Sequence, residues 1–330
     1  MNKIKLYLSL ITLVMFTIFS CDKMDDFHLK YIEDGEIRYT TKVDSVVTFA
    51  GNYRVKITGI LFQPFGVNEI KIYYNDYNDS ILIDYTRQED IDTLSIMLDN
   101  LEEKSYSFNI YTGDKEGNRS IKVTAFGTAY GDLYQESLLG RAVNTFSVSD
   151  YNLGVNWLPA DELERGTELV YTDTSGTEIT LKVSPDSSST TLYNFSEGIK
   201  YRSLFVPEKT ALDSFASNWT VQEIGIYAST GTFTHPITGT RDFSLDKILQ
   251  TVITGSVYET EFADLGSYGY KMKLKVNADN SVEVISSGST PPSEPDGVNV
   301  YDPVTETFTL HYKYTATGGY RTISETIAKK

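Results

Sequence analysis

The chain contains very few of the side chains on which most catalytic and redox sites depend. Among its 330 residues there are 1 cysteine, 3 histidines and 2 tryptophans. One cysteine excludes an internal disulfide and a cluster of thiolate metal ligands. The histidines (His28, His235 and His311) lack metal-ligand spacing, and neither a Gly-x-Ser-x-Gly motif nor a glycine-rich phosphate loop is present. These absences predict a protein without metal, cofactor or enzymatic activity.

Basic residues are also scarce relative to acidic ones. The chain has 29 lysines and arginines against 45 aspartates and glutamates, a formal net charge of −16. Such a surface repels nucleic-acid phosphates and other anionic polymers. We therefore expect no nucleic-acid partner, whereas neutral ligands such as neutral sugars remain open.

Tyrosine, by contrast, is abundant, with 24 copies. Tyrosine and threonine favour strands, because they pack well on a pleated, half-buried surface. Stretches such as "NYRVKITGILF", "NEIKIYY" and "DSILIDYT" alternate between polar and apolar residues and are separated by clusters of Gly, Asn and Asp. This pattern predicts an all-β fold built from antiparallel sandwiches.

Residues 1–20 have the organisation of a secretory signal peptide. Lys3 and Lys5 precede an uncharged run that is short for a membrane span. Cys21 follows this run directly and resembles the lipidated cysteine of bacterial lipoproteins. The acidic residues after it resemble the export signal of Bacteroidetes surface lipoproteins. The resemblance implies that acyl chains on Cys21 anchor the protein in the outer membrane, with its domains exposed at the cell surface.

Two segments resemble fibronectin type III domains. In the first, Leu101 shortly before Tyr106 resembles a tyrosine corner, and in the second, Trp157 followed by Pro159 resembles a core strand. The third region has longer alternating strands. We therefore expect a lipidated tether (21–30), two tandem fibronectin type III or immunoglobulin-like sandwiches (31–131 and 132–219) and an antiparallel β-meander (220–330) that forms an open barrel or a sandwich.

Longer motifs resemble those of Bacteroidetes surface lipoproteins of unknown function. "YRSLFVPEKTALDSF", with the two fibronectin-like segments, resembles their N-terminal module. "GTRDFSLDK", "YETEFADLGSYGYKMKLKVNADNSVEV" and "VYDPVTETFTLHYKYT" resemble a C-terminal module of lipoproteins encoded beside outer-membrane glycan-import systems. The resemblance implies a non-catalytic accessory of polysaccharide uptake, with an outer-membrane import complex as a partner.

Aromatic residues are the remaining indication of a binding site, because sugars stack on aromatic rings. We expect Trp157 in a core and Trp219, at a domain boundary, in a binding surface. Tyr268 and Tyr270 lie close to Gly266 and Gly269 in the sequence, and Tyr320 follows two glycines; these tyrosines complete the candidate glycan site.

These observations favour two functions without catalysis and leave a third, catalytic one open. The leading hypothesis is an anchored protein that binds an extracellular polysaccharide without cleaving it. The first alternative is an adhesin-like or protein-interaction subunit that has no sugar site. The second is a glycoside hydrolase, which needs only two suitably placed carboxyl groups.

Overall fold

The computed structural model describes residues 38–263 and 270–330 of the protein. The described residues contain 23 strands and one helix, so the predicted all-β fold is confirmed. The helix, α1 (Asp132–Ser137), has 6 residues. Within the described ranges, no helix is long and apolar enough to cross a membrane. Cys21 and the proposed tether lie outside these ranges.

Seven strands build the first sandwich. They are β1 (Asp44–Asn52), β2 (Arg54–Phe62), β3 (Val67–Tyr74), β4 (Asp79–Asp84), β5 (Ile91–Leu98), β6 (Lys104–Asp114) and β7 (Val123–Tyr130). They form a continuous sheet in the order β4-β3-β6-β7-β1-β2-β5. Inward residues such as Val55, Ile72 and Phe108 are fully buried in one core. Because side chains alternate across a strand, the other face of β4, β3 and β6 is turned to solvent.

The first sandwich contains the predicted tyrosine corner. The Tyr106 hydroxyl donates a hydrogen bond to the carbonyl oxygen of Glu102 at 3.0 Å. The Tyr106 ring is buried and stacks on Phe108, with 5.6 Å between ring centroids. Leu101 is buried in the same core. This bond fixes the start of β6 relative to the preceding loop, as in fibronectin type III and immunoglobulin-like sandwiches.

The second sandwich has two sheets. One contains β8 (Val143–Ser149), β9 (Asn152–Trp157) and β12 (Ser189–Leu192), and the other contains β10 (Glu164–Asp173), β11 (Glu178–Val183), β13 (Phe195–Phe205), β14 (Phe215–Ala216) and the start of β15 (Thr220–His235). Trp157 is buried between them and meets Tyr201 edge to face, with centroids 5.3 Å apart. The prediction that Trp157 belongs to a core is confirmed.

Strand β15 belongs to two cores. Its first part pairs with β13, and its later part pairs with β16 (Gly239–Ile253) and β23 (Gly319–Lys329). Ile224 and Ile226 are buried in the core of the second sandwich, whereas Phe233 is buried in the C-terminal core. The second sandwich and the C-terminal region accordingly form one compact unit, separate from the first sandwich. The boundary placed between 219 and 220 falls at the start of this shared strand.

The C-terminal region is an open barrel, one of the two predicted arrangements. Its other strands are β17 (Val257–Glu261), β18 (Lys271–Val276), β19 (Val282–Ser287), β20 (Ser293–Pro295), β21 (Val300–Asp302) and β22 (Thr307–Ala316). The sheet extends from β15 through β16, β17 and β18 to β19 on one side, and through β23 to β22 on the other. Bonds from the Ser293 hydroxyl to the Val284 carbonyl and from Val282 N–H to the Asn299 carbonyl, both 2.9 Å, bring the two ends together.

A charged network lies inside the barrel. The Lys247 ammonium forms an ion pair with Glu325 Oε1, and both side chains are almost completely buried. The Ser229 hydroxyl donates to Oε1 at 2.7 Å, and the Tyr312 hydroxyl donates to Oε2 at 2.9 Å. Burial, and then the negative charge of Glu325, raise the pKa of Tyr312, which therefore keeps its proton. Each oxygen of the buried carboxylate thus has a partner, as a desolvated charge requires.

Many of the acidic residues serve turns. Asp114, Asp173, Asp279 and Asp302 each accept a backbone N–H two residues further along the chain. Hydrogen bonds lower the pKa of all four; the largest cause is a turn side chain for the first three and a backbone N–H for Asp302. These acids therefore close hairpins, as Asx turns do.

Candidate functional site

The structure places the residues predicted from the sequence in different surroundings. Cys21 and Tyr268 lie outside the described residues. Trp219 is 40% exposed and immediately precedes β15. The Arg202 guanidinium lies 4.6 Å from its ring centroid and the Lys200 ammonium 5.7 Å away. Arg202 also forms an ion pair with Glu168 at 2.8 Å. Trp219 therefore lies beside charged side chains on the outside of the second sandwich.

The two remaining tyrosines lie in the barrel. Tyr270 is half-buried and packs against the core, with its ring edge-to-face with Tyr314 at 5.9 Å. Tyr320 is 50% exposed at the β22–β23 turn, beneath the Lys313 ammonium at 5.1 Å from its ring. Tyr270 thus contributes to packing, and Tyr320 presents an exposed ring.

These residues do not form one surface. Trp219 precedes the first residue of β15, whereas Tyr320 lies near the other end of the strand, where Thr322 pairs with Thr234. With about 3.3 Å per strand residue, the intervening stretch is roughly 45 Å long. A single sugar chain of a few units therefore does not reach from one ring to the other.

Another group of aromatic rings does come together, on the outer face of the first sandwich. It consists of Tyr73 on β3, Tyr77 in the β3–β4 turn and Tyr111 on β6, here called the tyrosine patch. The Tyr73 centroid lies 5.1 Å from that of Tyr77 and 5.9 Å from that of Tyr111. The hydroxyl oxygens of Tyr77 and Tyr111 are 3.2 Å apart, within hydrogen-bonding distance. Tyr77 is 49% exposed and the other two rings are half-buried.

Strand register explains how two of these rings meet. Tyr73 is paired with Asn109 and Lys71 with Tyr111, so Tyr73 and Tyr111 are diagonal neighbours on one face. Diagonal neighbours in antiparallel strands are within reach of aromatic side chains. Ile70, Ile72 and Ile110 alternate with them and fill the core. The same period-two pattern that buries the isoleucines therefore places the tyrosines outside.

The third ring is positioned by an unusual turn. Asn75, Asp76 and Tyr77 all have positive φ, at 48°, 54° and 68°. Positive φ is disfavoured for residues other than glycine, and for a bulky residue it is an outlier. The Asn75 amide donates to Asp79 Oδ2 at 2.6 Å, and Asn78 donates twice to the Asn75 carbonyl, which holds the turn. The strained turn brings the Tyr77 ring onto Tyr73 and Tyr111.

Charged and polar groups border the patch. The Lys71 ammonium lies 4.9 Å from the Tyr73 ring centroid and the Arg119 guanidinium 5.8 Å from that of Tyr111. The hydrogen bond with Tyr77, followed by burial, raises the pKa of Tyr111. The Thr124 hydroxyl donates to Asn109 Oδ1 at 2.9 Å, which orients that amide with its NH₂ group free to donate elsewhere.

The patch has the properties of a ligand platform. Its rings offer flat apolar surface, its hydroxyls both donate and accept hydrogen bonds, and the amide and two cations supply further donors. Leu82 and Phe126, which are 57% and 74% exposed, lie on the same outer face. The stretch "YNDYNDS", rich in Asn and Asp, is typical of a turn and does not by itself indicate an aromatic patch. An aromatic residue inside an Asn/Asp turn next to an aromatic strand end was the available indication.

The second sandwich contains a cleft of about 630 Å³. Its lining includes the Trp157 indole, Arg141 and several carboxyl groups. Glu164 accepts a bond from the Thr167 hydroxyl at 2.8 Å, Glu162 pairs with Lys209, and Asp161 accepts the Leu163 N–H at 2.8 Å. These carboxyl groups each hold a loop or strand end. Among the described residues, no group of three or more His, Cys, Asp or Glu side chains has the arrangement of a metal site.

The strand order and the two sandwich cores define a fibronectin-like, all-β protein with a C-terminal barrel. By sequence, the chain belongs to the DUF4998 family, a domain of unknown function, which matches residues 21–215. A second family, described only as a C-terminal domain, matches residues 215–328. The resemblance to a family of unknown function with a distinct C-terminal module is confirmed at this level.

Other comparisons add little to this assignment. No curated protein matches the chain. A two-domain fibronectin type III segment of chicken tenascin is 12% identical over 55% of this chain and 97% of its own, with a TM-score of 0.24. The central fibronectin type III array of RIM-binding protein is 10% identical over 85% of this chain and 95% of its own, with a TM-score of 0.22. The fold assignment therefore rests on the strand order and cores described above.

Proposed function

We propose that the protein is a surface lipoprotein, anchored in the outer membrane through Cys21, that binds an extracellular glycan as a non-catalytic accessory of polysaccharide uptake. The observation that carries the glycan part is the tyrosine patch. Two rings whose centroids lie within 6 Å of that of Tyr73, edged by an amide and two cations, combine stacking surface with hydrogen-bond donors. A small number of polar groups around aromatic surface is typical of ligand sites.

The test is retention of the purified protein in gels that contain polysaccharides from a broad panel. Tyr77→Ala removes the most exposed ring and should weaken binding about ten-fold, corresponding to ~1.4 kcal/mol. Tyr320→Ala, which removes an equally exposed tyrosine beside a lysine, is the matched control. Binding that survives Tyr77→Ala but is lost in Trp219→Ala would place the site on the second sandwich instead.

A protein-interaction subunit is the second candidate. Exposed Phe126 and Leu82 extend the outer face of the patch with apolar surface, which suits a protein partner. In that case no polysaccharide retains the protein, whereas Phe126→Ser abolishes co-purification with an outer-membrane import complex. The anchor is tested independently of both candidates by mass spectrometry of the native protein. The added mass of the acyl chains should be present in the unsubstituted protein and missing from Cys21→Ala.

A further inference from the structure

The two cations that lie against the rings of the tyrosine patch are opposite in sign to the net charge of the whole chain. The net charge is −16, yet the two charged groups against the rings are Lys71 and Arg119. Neither cation has a carboxylate within 4 Å among the described residues. Neither of the two cations that border the rings is therefore held in an ion pair among the described residues.

Distance decides which charge a bound ligand meets. At physiological ionic strength the Debye length is about 8 Å, so exposed carboxylates beyond that range are largely screened. Lys71 and Arg119 lie within 6 Å of the ring centroids. A ligand stacked on the rings consequently interacts with these cations more strongly than with distant acids.

Several acids lie near the patch in sequence or strand register, and two of them are engaged in turns. The Asp79 carboxylate accepts a hydrogen bond from the Asn75 amide at 2.6 Å. Glu69 occupies the same face of β3 as Lys71, two residues away and opposite Gly113, a spacing of roughly 6.6 Å along the strand. Asp114, near Arg119 in sequence, accepts bonds from Asn118 and Glu116 within its own turn. Glu69 and Asp76, the exposed turn residue next to Tyr77, are the acids expected to oppose an anionic ligand.

We propose that the patch selects an acidic saccharide, a sugar that carries a carboxylate or sulfate group. This inference rests on the function proposed above. The rings stack on the sugar face, Arg119 and Lys71 contact the anionic group, and the Asn109 amide donates to a hydroxyl. The guanidinium matches the geometry of a carboxylate or sulfate, and the ammonium acts as a point charge. The net charge of the chain alone predicts the opposite preference.

Matched polymers test the inference. The probes are polygalacturonate with its fully methyl-esterified form, and dextran sulfate with dextran, so that each pair differs in charge on one backbone. We expect at least one charged member to bind more tightly than its neutral counterpart. Lys71→Met and Arg119→Gln should each weaken binding of that member about three-fold and leave the neutral one unchanged. Glu69→Gln should strengthen it, and added salt should weaken it.

Controls separate this inference from the proposed function. Lys182→Met removes an exposed lysine of the second sandwich with the same change in net charge and should have no effect. The inference is overturned if Lys182→Met weakens binding as much as Lys71→Met, if the neutral member binds as well as the charged one, or if neither pair binds. Binding of neutral glycans that depends on Tyr77 but not on Lys71 would leave the proposed function standing and remove only the charge preference.

Discussion

The first and second sandwiches share strand patterning but differ in how they end. The first closes its seven strands into one sheet around its own core and forms a compact unit by itself. The last strand of the second sandwich, β15, continues into the barrel, and the second sandwich and the barrel form one unit. The first sandwich has a core of its own and an outer face that carries the tyrosine patch, whereas the shared strand ties the stability of two cores together.

The largest expected loss of stability comes from breaking the buried ion pair inside the barrel. Lys247→Met leaves the Glu325 carboxylate buried without its counter-ion, and should lower the free energy of unfolding of the second unit by about 3–5 kcal/mol. Both tryptophans lie in that unit, so urea unfolding followed by tryptophan fluorescence reports on it.

The double variant Lys247→Met/Glu325→Leu is the control for this experiment, because it removes both charges and should be less destabilised than the single variant. Equal loss in the two variants would contradict the assignment of the cost to an unpaired charge. Limited proteolysis of the first sandwich should remain unchanged in both.

A second substitution tests the contact between β15 and β23. A Cβ atom on Gly231 would lie 1.9 Å from the Ser324 carbonyl oxygen, and a backbone atom has little room to move. We expect Gly231→Ala to destabilise the second unit by about 2–3 kcal/mol. Thr230→Ala, at the adjacent exposed position, should change the unfolding midpoint little. If both substitutions have the same effect, the close approach is not what requires glycine.

A smaller effect addresses the first sandwich alone. Tyr106→Phe removes the hydroxyl that donates to Glu102 and should cost about 1 kcal/mol. In the second sandwich, β13 begins with Phe195, a buried side chain that has no hydroxyl, so Phe195 cannot make this hydrogen bond. Hydrogen exchange should show faster opening of β6 and unchanged protection of β13. Faster exchange in both would mean that the sandwiches are not independent.

The smallest effect concerns pH. Asp92 accepts hydrogen bonds from Gln88 N–H and the Tyr85 hydroxyl, and these bonds lower its pKa. A lowered folded-state pKa stabilises the first sandwich above the ordinary value of about 4, and this contribution is lost as the pH falls through the folded-state value. Asp92→Asn should therefore flatten the acid branch of the stability curve of the first sandwich. Thermal midpoints measured from pH 7 downward check this, and an unchanged slope would contradict it.

Local patterns predicted much of the fold. Alternation around Ile70 and Ile72, the Tyr106 corner and the buried Trp157 are all local or nearly local features, and the structure confirms them. The candidate site was less predictable. Glycine neighbours favoured Tyr270 as an exposed ring, yet it packs against Tyr314, because the partner that covers it comes from a distant strand.

The order of apolar and polar residues by itself determined the strands and their inward faces, since side-chain alternation is a property of the backbone. Only the tertiary structure decided that β15 serves two cores and that Tyr73, Tyr77 and Tyr111 meet. The physical reason is that strand register and a turn with three left-handed residues fix those contacts, and both depend on pairing between distant parts of the chain.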